Sequence, residues 1–122
     1  MKIINLTQHA ATPDQVEAGV VDLDPADRAG LQNLLTFETL PSREGIEQRA
    51  GLLAVLARDV GADAAMIGGA PWLMGPLAAK LRQVGVTPLF AFSTRESADQ
   101  TQPDGTVRKV SVFRHRGFVE AV

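Results

Sequence analysis

The stretch Ala64-Ala65-Met66-Ile67-Gly68-Gly69-Ala70-Pro71-Trp72, followed a helix length later by Val86-Thr87-Pro88-Leu89-Phe90-Ala91-Phe92, decides the fold. Ala64 to Ile67 is an almost uninterrupted apolar run of strand length, the pattern of a strand covered on both faces. The glycine pair turns the chain, Leu73 to Val84 reads as a helix, Gly85 stops it, and Val86 to Phe92 is the next buried strand. Strand, helix and strand in that order make a βαβ unit, so the two strands are expected to be parallel and their crossover right-handed.

Upstream, Ile3, Ile4 and Leu6 open the chain as a short apolar strand that exits through Gln8, His9 and Ala10. Thr12, Pro13 and Gln15 match a capping box with proline at the first helical position, so a short helix starts there and Gly19 ends it. Val20, Val21 and Leu23 read as a second short strand. Asp24-Pro25 begins another helix, which carries Leu31, Leu34 and Leu35. Ser42 caps a longer one whose apolar positions Ile46, Leu52, Leu53, Val55, Leu56 and Val60 form a broad stripe, closed by Gly61.

Downstream, Phe92 gives way to Ser93-Thr94-Arg95-Glu96, read as the exit from the strand. Residues 94 to 101 and 106 to 114 alternate around the turn Pro103-Asp104-Gly105, the signature of a hairpin. With 122 residues, 45% of them hydrophobic, the chain suits one domain over residues 1–122. The expected fold is α/β: a single-domain, three-layer Rossmann-like arrangement with a mostly parallel sheet and a C-terminal β-hairpin extension.

Composition excludes several functions. There is no cysteine, which removes disulfides and thiolate metal sites, and two histidines without a ligand spacing such as HExxH predict no metal. No apolar stretch is long enough to span a bilayer. The N-terminal MKIINLTQHAA lacks the core of a signal peptide, so the expected location is the cytoplasm. The net charge of −2 hides an asymmetry: residues 1–63 carry five Lys/Arg against ten Asp/Glu, and residues 64–122 carry seven against four. The second half suits an anionic partner, yet the total is too modest for duplex nucleic acid bound through charge alone.

In an open parallel sheet ligands bind beyond the carboxyl ends of the strands. Three segments meet that condition: Thr7, Gln8 and His9 after the first strand, Gly68, Gly69 and Ala70 after the central one, and Ser93, Thr94, Arg95 and Glu96 after the next. The glycines allow a phosphate to approach the backbone, although they serve equally as a tight strand-to-helix turn, and neither GxGxxG nor GxxxxGK[ST] is present. Ser93, Thr94 and Arg95 combine hydroxyls with a guanidinium fork; a capped, solvated turn accounts for them too. Arg108, Lys109, Arg114, His115 and Arg116 form a basic run that suits either an anion or a charged sheet edge. Trp72 offers a surface for a base or a seal for the core.

Taken in order, Ile4-Asn5-Leu6-Thr7-Gln8-His9, Gly68-Gly69-Ala70, Pro88-Leu89-Phe90-Ala91-Phe92 with Ser93-Thr94-Arg95-Glu96, and Asp104-Gly105-Thr106-Val107-Arg108-Lys109 through Ser111-Val112-Phe113-Arg114-His115 resemble the small CRISPR-associated proteins with a reduced CARF-like Rossmann fold, a group that includes cyclic-oligoadenylate ring nucleases. The resemblance implies a homodimer that binds a cyclic oligoadenylate, usually cyclic tetra-adenylate, across its two-fold axis. It implies metal-independent cleavage by attack of a ribose 2′-OH on the adjacent phosphorus, with no cofactor, which switches off antiviral signalling. On that reading His9 and Arg95 are the catalytic candidates, and Gln8, Gly68, Gly69, Ala70, Ser93, Thr94, Lys109, Arg114 and His115 bind the ligand. Two alternatives stand beside it: a sponge or sensor that binds the same nucleotide without cleaving it, and a mobile-element accessory protein with no nucleotide ligand.

Overall fold

A computed structural model describes residues 1–122. In chain order the elements are β1 (Ile3–Leu6), α1 (Pro13–Glu17), β2 (Val20–Val21), α2 (Pro25–Leu35), α3 (Arg43–Asp59), β3 (Ala64–Ile67), α4 (Pro71–Gln83), β4 (Thr87–Thr101) and β5 (Val107–Glu120). They build an α/β fold around one five-stranded sheet in the order β2-β1-β3-β4-β5. The first four strands are mutually parallel, and β5 returns antiparallel to β4.

The strand order explains where the helices lie. The chain steps from β1 to β2 in one direction, then reverses to reach β3 and β4, and right-handed crossovers place connections of opposite direction on opposite faces. Ile4, Leu6, Ala65 and Ile67 accordingly meet Leu31 and Leu35 of α2, Leu53 of α3, and Leu73, Leu77 and Leu81 of α4 in the main core. The other face carries a smaller cluster of Ile3, Val20, Ala64 and Met66, against which Ala11, at the approach to α1, packs. The expected third layer is therefore a single five-residue helix.

Local signals act as the residues dictate. Thr12 and Gln15 close the capping box, with Gln15 N–H donating to Thr12 Oγ1 at 3.2 Å and Thr12 N–H to Gln15 Oε1 at 3.0 Å. Ser42 Oγ accepts from Gly45 N–H at 3.0 Å at the start of α3. The apolar stripe of α3 is narrower than expected: Leu52 and Val55 are exposed, and the buried positions are Ala50, Leu53, Ala54 and Ala57. Three alanines let α3 lie close to α4, so bulk at their neighbours is not needed for the core. Helix α4 begins at Pro71, ahead of the expected Leu73.

The largest departure lies in β4. Ser93 to Glu96 do not form an exit loop, because the strand continues through them to Thr101, paired rung by rung with β5. Only Thr87, Pro88 and Leu89 also pair with β3, so most of the hairpin is a two-stranded ribbon that leaves the sheet, with a register shift between Phe92 and Ser93. Gly105, at φ +87°, turns its tip. No helix is long and apolar enough to cross a membrane.

Candidate functional site

Because the chain reverses direction between β1 and β3, this fold has one topological switch point, and the loops leaving those two strands diverge there to opposite faces. A cavity of about 480 Å3 occupies that position. Its walls are Thr7 to Ala10 after β1, Ile67 at the end of β3 with Gly68 and Gly69 after it, and Phe90 with Ala91 from β4. Thr12 and Gln15 of the capping box and Met66 of β3 complete the lining. The volume lies within the range of small-ligand sites.

The β1 loop is held by a buried polar side chain. Asn5 is 2% exposed, inside an otherwise apolar strand, and satisfies both ends of its amide. Its Nδ2 donates to the His9 carbonyl at 2.7 Å and to Asp22 Oδ1 at 2.8 Å, while its Oδ1 accepts from Thr7 N–H at 2.9 Å and Thr7 Oγ1 at 2.7 Å. Asp22 in turn accepts from Ala11 N–H at 3.1 Å and pairs with Arg28 at 3.5 Å. From α2, Gln32 Nε2 donates to the Gln8 carbonyl at 2.6 Å, and Gln8 Nε2 reaches Thr36 Oγ1 at 3.4 Å. The loop is thus tied at Thr7, Gln8, His9 and Ala11, with the His9 side chain left exposed at the cleft.

The β3 turn presents backbone. Gly69 adopts φ +139°, a conformation that other residues adopt only with strain, while a Cβ there would meet nothing nearer than Met74 Cε at 3.9 Å. Glycine is required by the dihedral and not by crowding. Gly68 lies beside Thr7, its ideal Cβ position 3.5 Å from Thr7 Cγ2, so the two loops touch across the switch point.

Of the residues singled out from sequence, Gln8, His9, Gly68 and Gly69 line one cleft, with Ala70 as the N-cap of α4 immediately behind them. The others belong to the hairpin. Ser93 pairs with His115, Thr94 with Arg114, and Arg95 with Phe113, whose ring lies 5.1 Å beneath the Arg95 guanidinium. Lys109 sits opposite Asp99. Arg114 approaches Asp14 of α1 at 3.7 Å and Glu96 at 4.0 Å, and Arg116 bonds Thr94 Oγ1 at 2.8 Å and Glu96. His115 packs against Phe118 with ring centroids 4.6 Å apart, its Nδ1 buried without a hydrogen-bond partner. The Arg114 to Asp14 pair connects the ribbon to α1, one side chain removed from the cleft.

The cleft itself contains no Lys, Arg, Asp or Glu, and His9 is its one titratable group. The basic run does not converge on it, since alternation along β5 and the ion pairs with Asp14 and Glu96 hold those side chains on the ribbon. Asn5 and Asp22, which hold the β1 loop of the cleft, are the positions that sequence reasoning missed. A lone amide inside the apolar run Ile3 to Leu6 was the available signal for Asn5, because a buried polar group needs partners. Asp22, 17 residues away, gave none.

The chain belongs to the uncharacterized protein MJ1673 family, whose model matches residues 1–119. No curated protein and no solved structure matches it.

Proposed function

We propose that this member of the family is a Rossmann-like nucleotide-binding protein of the cytoplasm that takes a cyclic oligoadenylate, cyclic tetra-adenylate in the first instance, into the cleft at the switch point and opens the ring. The observation that carries the reading is the meeting of Gln8 and His9 with the Gly68-Gly69 turn in one cavity at the place where sheets of this topology bind ligands. The glycine turn offers backbone to a phosphate at the start of α4, where the helix dipole favours negative charge.

In the proposed reaction a ribose 2′-oxygen attacks the adjacent phosphorus in line, forming the 2′-O–P bond as the P–O5′ bond breaks. The product is a linear oligoadenylate with a 2′,3′-cyclic phosphate and a 5′-hydroxyl. His9 accepts the 2′ proton, the role for which imidazole is the suitable side chain near neutral pH, and the proton is returned to the departing 5′-oxygen. Gln8 orients the ribose, and Arg95 from a hairpin supplies charge to the phosphoryl oxygens. Because the cleft lacks a fixed cation, the reading includes a homodimer in which each subunit faces half of the ring and the hairpins bring the basic side chains to it. The unpaired outer edge of β5 and the exposed Phe92, Val107, Phe113 and Val119 support such an association.

A second reading, binding without cleavage, is favoured by the uncharged lining of the cleft, which provides one titratable group and no fixed charge for the transition state. Incubation of the protein with labelled cyclic tetra-adenylate in EDTA separates the two. Linear product supports the ring nuclease, retention of intact ring supports the sponge, and neither product nor retention rejects a nucleotide ligand in favour of an accessory role.

A further inference from the structure

We propose a second ligand site, separate from the cleft, in which the connection between α2 and α3 binds a polar α-amino acid as its zwitterion. A cavity of about 540 Å3 lies there, lined by five side chains and no apolar one. Asn33 comes from the last turn of α2, Thr36, Glu38 and Thr39 from the connection, and Arg49 from α3. The lining thus holds one cation and one carboxylate, and no ion pair joins them. A wall shaped for an anion alone would repel it through Glu38, and one shaped for a cation alone would repel it through Arg49. A ligand that carries both charges meets a partner for each.

Arg49 is fixed without any ligand. Its Nη1 donates to the carbonyls of Asn33 at 3.3 Å, Leu34 at 3.2 Å and Thr36 at 2.5 Å, groups at the C-terminal end of α2 that the helix itself leaves unsatisfied. The guanidinium also lies 4.2 Å over the Phe37 ring, which in turn meets Trp72 edge to face with centroids 5.5 Å apart. Only Nη1 is engaged, so the Nε and Nη2 hydrogens have no acceptor in the protein and form the fork that takes a carboxylate in bidentate fashion. A donor already held in one place loses little freedom on binding.

The other polar groups suit the rest of such a ligand. Glu38 makes neither a hydrogen bond nor an ion pair and is free for an ammonium group. Thr36 Oγ1 already donates to the Gln32 carbonyl at 2.8 Å and receives Gln8 Nε2 at 3.4 Å, so it has only acceptor capacity left, which again fits an ammonium. The Asn33 amide and the Thr39 hydroxyl have no partner within the chain and remain for the ligand's own side chain. With no apolar wall to enter, an apolar side chain would gain nothing there.

The test titrates the intact protein by calorimetry with L-glutamine, with N-acetyl-L-glutamine, which lacks the ammonium, with L-glutaminamide, which lacks the carboxylate, and with L-leucine. Saturable binding of L-glutamine is expected, with affinity roughly tenfold or more lower for each of the two blocked analogues and weaker binding of L-leucine. Arg49 is a poor target for substitution, because its loss also frees the carbonyls of α2; Glu38→Gln removes one charge from an exposed side chain without a protein contact. That variant should lose roughly tenfold or more for L-glutamine and bind N-acetyl-L-glutamine no more weakly than the wild type does. No saturable binding of L-glutamine, undiminished affinity for either blocked analogue, or wild-type affinity for L-glutamine in Glu38→Gln overturns the zwitterion site. L-leucine binding as tightly as L-glutamine overturns the preference for a polar side chain. None of these outcomes bears on the cleft, whose ligand the site does not need.

Discussion

Replacing Asn5 by alanine removes one buried side chain and, by the geometry of its contacts, the anchor of the whole β1 loop. Thr7 N–H loses its partner, and the His9 carbonyl and the Asp22 carboxylate each lose one of theirs, all held by the Asn5 amide at 2.7 to 2.9 Å. At about 1 kcal/mol for each bond removed, the loss is about 3 kcal/mol. For 122 residues the unfolding entropy near the midpoint is about 0.25 kcal/mol/K, so Tm should fall by about 12 °C. The assay is thermal unfolding followed by circular dichroism, with amide exchange at Thr7 and Ala11 as the local readout. Asn5→Asp sharpens the test, because it keeps the shape and the acceptor but sets a second carboxylate against Asp22, and should be worse near neutrality than at acidic pH. A drop of less than about 3 °C for Asn5→Ala, with loop amides still protected, would refute the argument that this network positions the site.

Gly69→Ala should cost about 1–3 kcal/mol from backbone strain alone, since φ +139° is the obstacle and the Cβ position is open; urea denaturation checks this, and a neutral result would mean that the turn relaxes. His9→Ala is expected to abolish cleavage of cyclic tetra-adenylate while preserving its retention, and a normal rate would remove His9 from the reaction. Arg95→Ala should weaken retention without lowering Tm measurably, because the side chain is exposed and its stacking on Phe113 is a surface contact; unchanged affinity would take Arg95 out of the site. At the hairpin tip, the Thr106 hydroxyl and then its N–H hold the Asp104 carboxyl below its ordinary pKa. A lowered folded value means that its contribution is complete above the unfolded pKa and fades as pH falls through the folded one. The Thr106 amide resonance should therefore titrate with a midpoint below the ordinary carboxylate value, and a midpoint at or above it would contradict the assignment.

The βαβ unit was legible because its parts have strong local causes: a four-residue apolar run, a glycine pair, a helix-length segment from Leu73 and a glycine stop, although Pro71 as the first helical residue was passed over. The capping box at Thr12 and the turn at Gly105 were legible for the same reason, being satisfied within a few residues. The length of β4 was not. Where the strand leaves the cover of β3, its pattern changes from apolar to alternating, and Ser93-Thr94-Arg95-Glu96 then reads as an exit although the backbone stays extended. The change recorded a loss of burial and not an end of pairing. The width of the α3 stripe was misread through Leu52 and Val55, since alanines at 50, 54 and 57 already bring α3 and α4 together. The Asn5 to Asp22 bond depends on β1 and β2 lying side by side, a tertiary fact with no local signature.

The separation of cleft and charge follows from the same topology. Reversal of the chain between β1 and β3 brings two short loops together, tied by Asn5, Asp22 and Gln32, and neither loop carries a Lys or Arg. The cations lie instead on a ribbon that pairs only with itself beyond β3, where Arg114 and Arg116 are already engaged by Asp14 and Glu96. Two-stranded ribbons are marginal in water on their own, so the Arg114 contact with α1 gives this one a fixed base, while Arg95, Arg108 and Lys109 further out make no ion pair. On the proposed reading a polyanionic ring larger than the cavity would meet its uncharged lining first and the ribbon cations second, and the outer cations Arg95, Arg108 and Lys109 would then govern how strongly its affinity depends on salt.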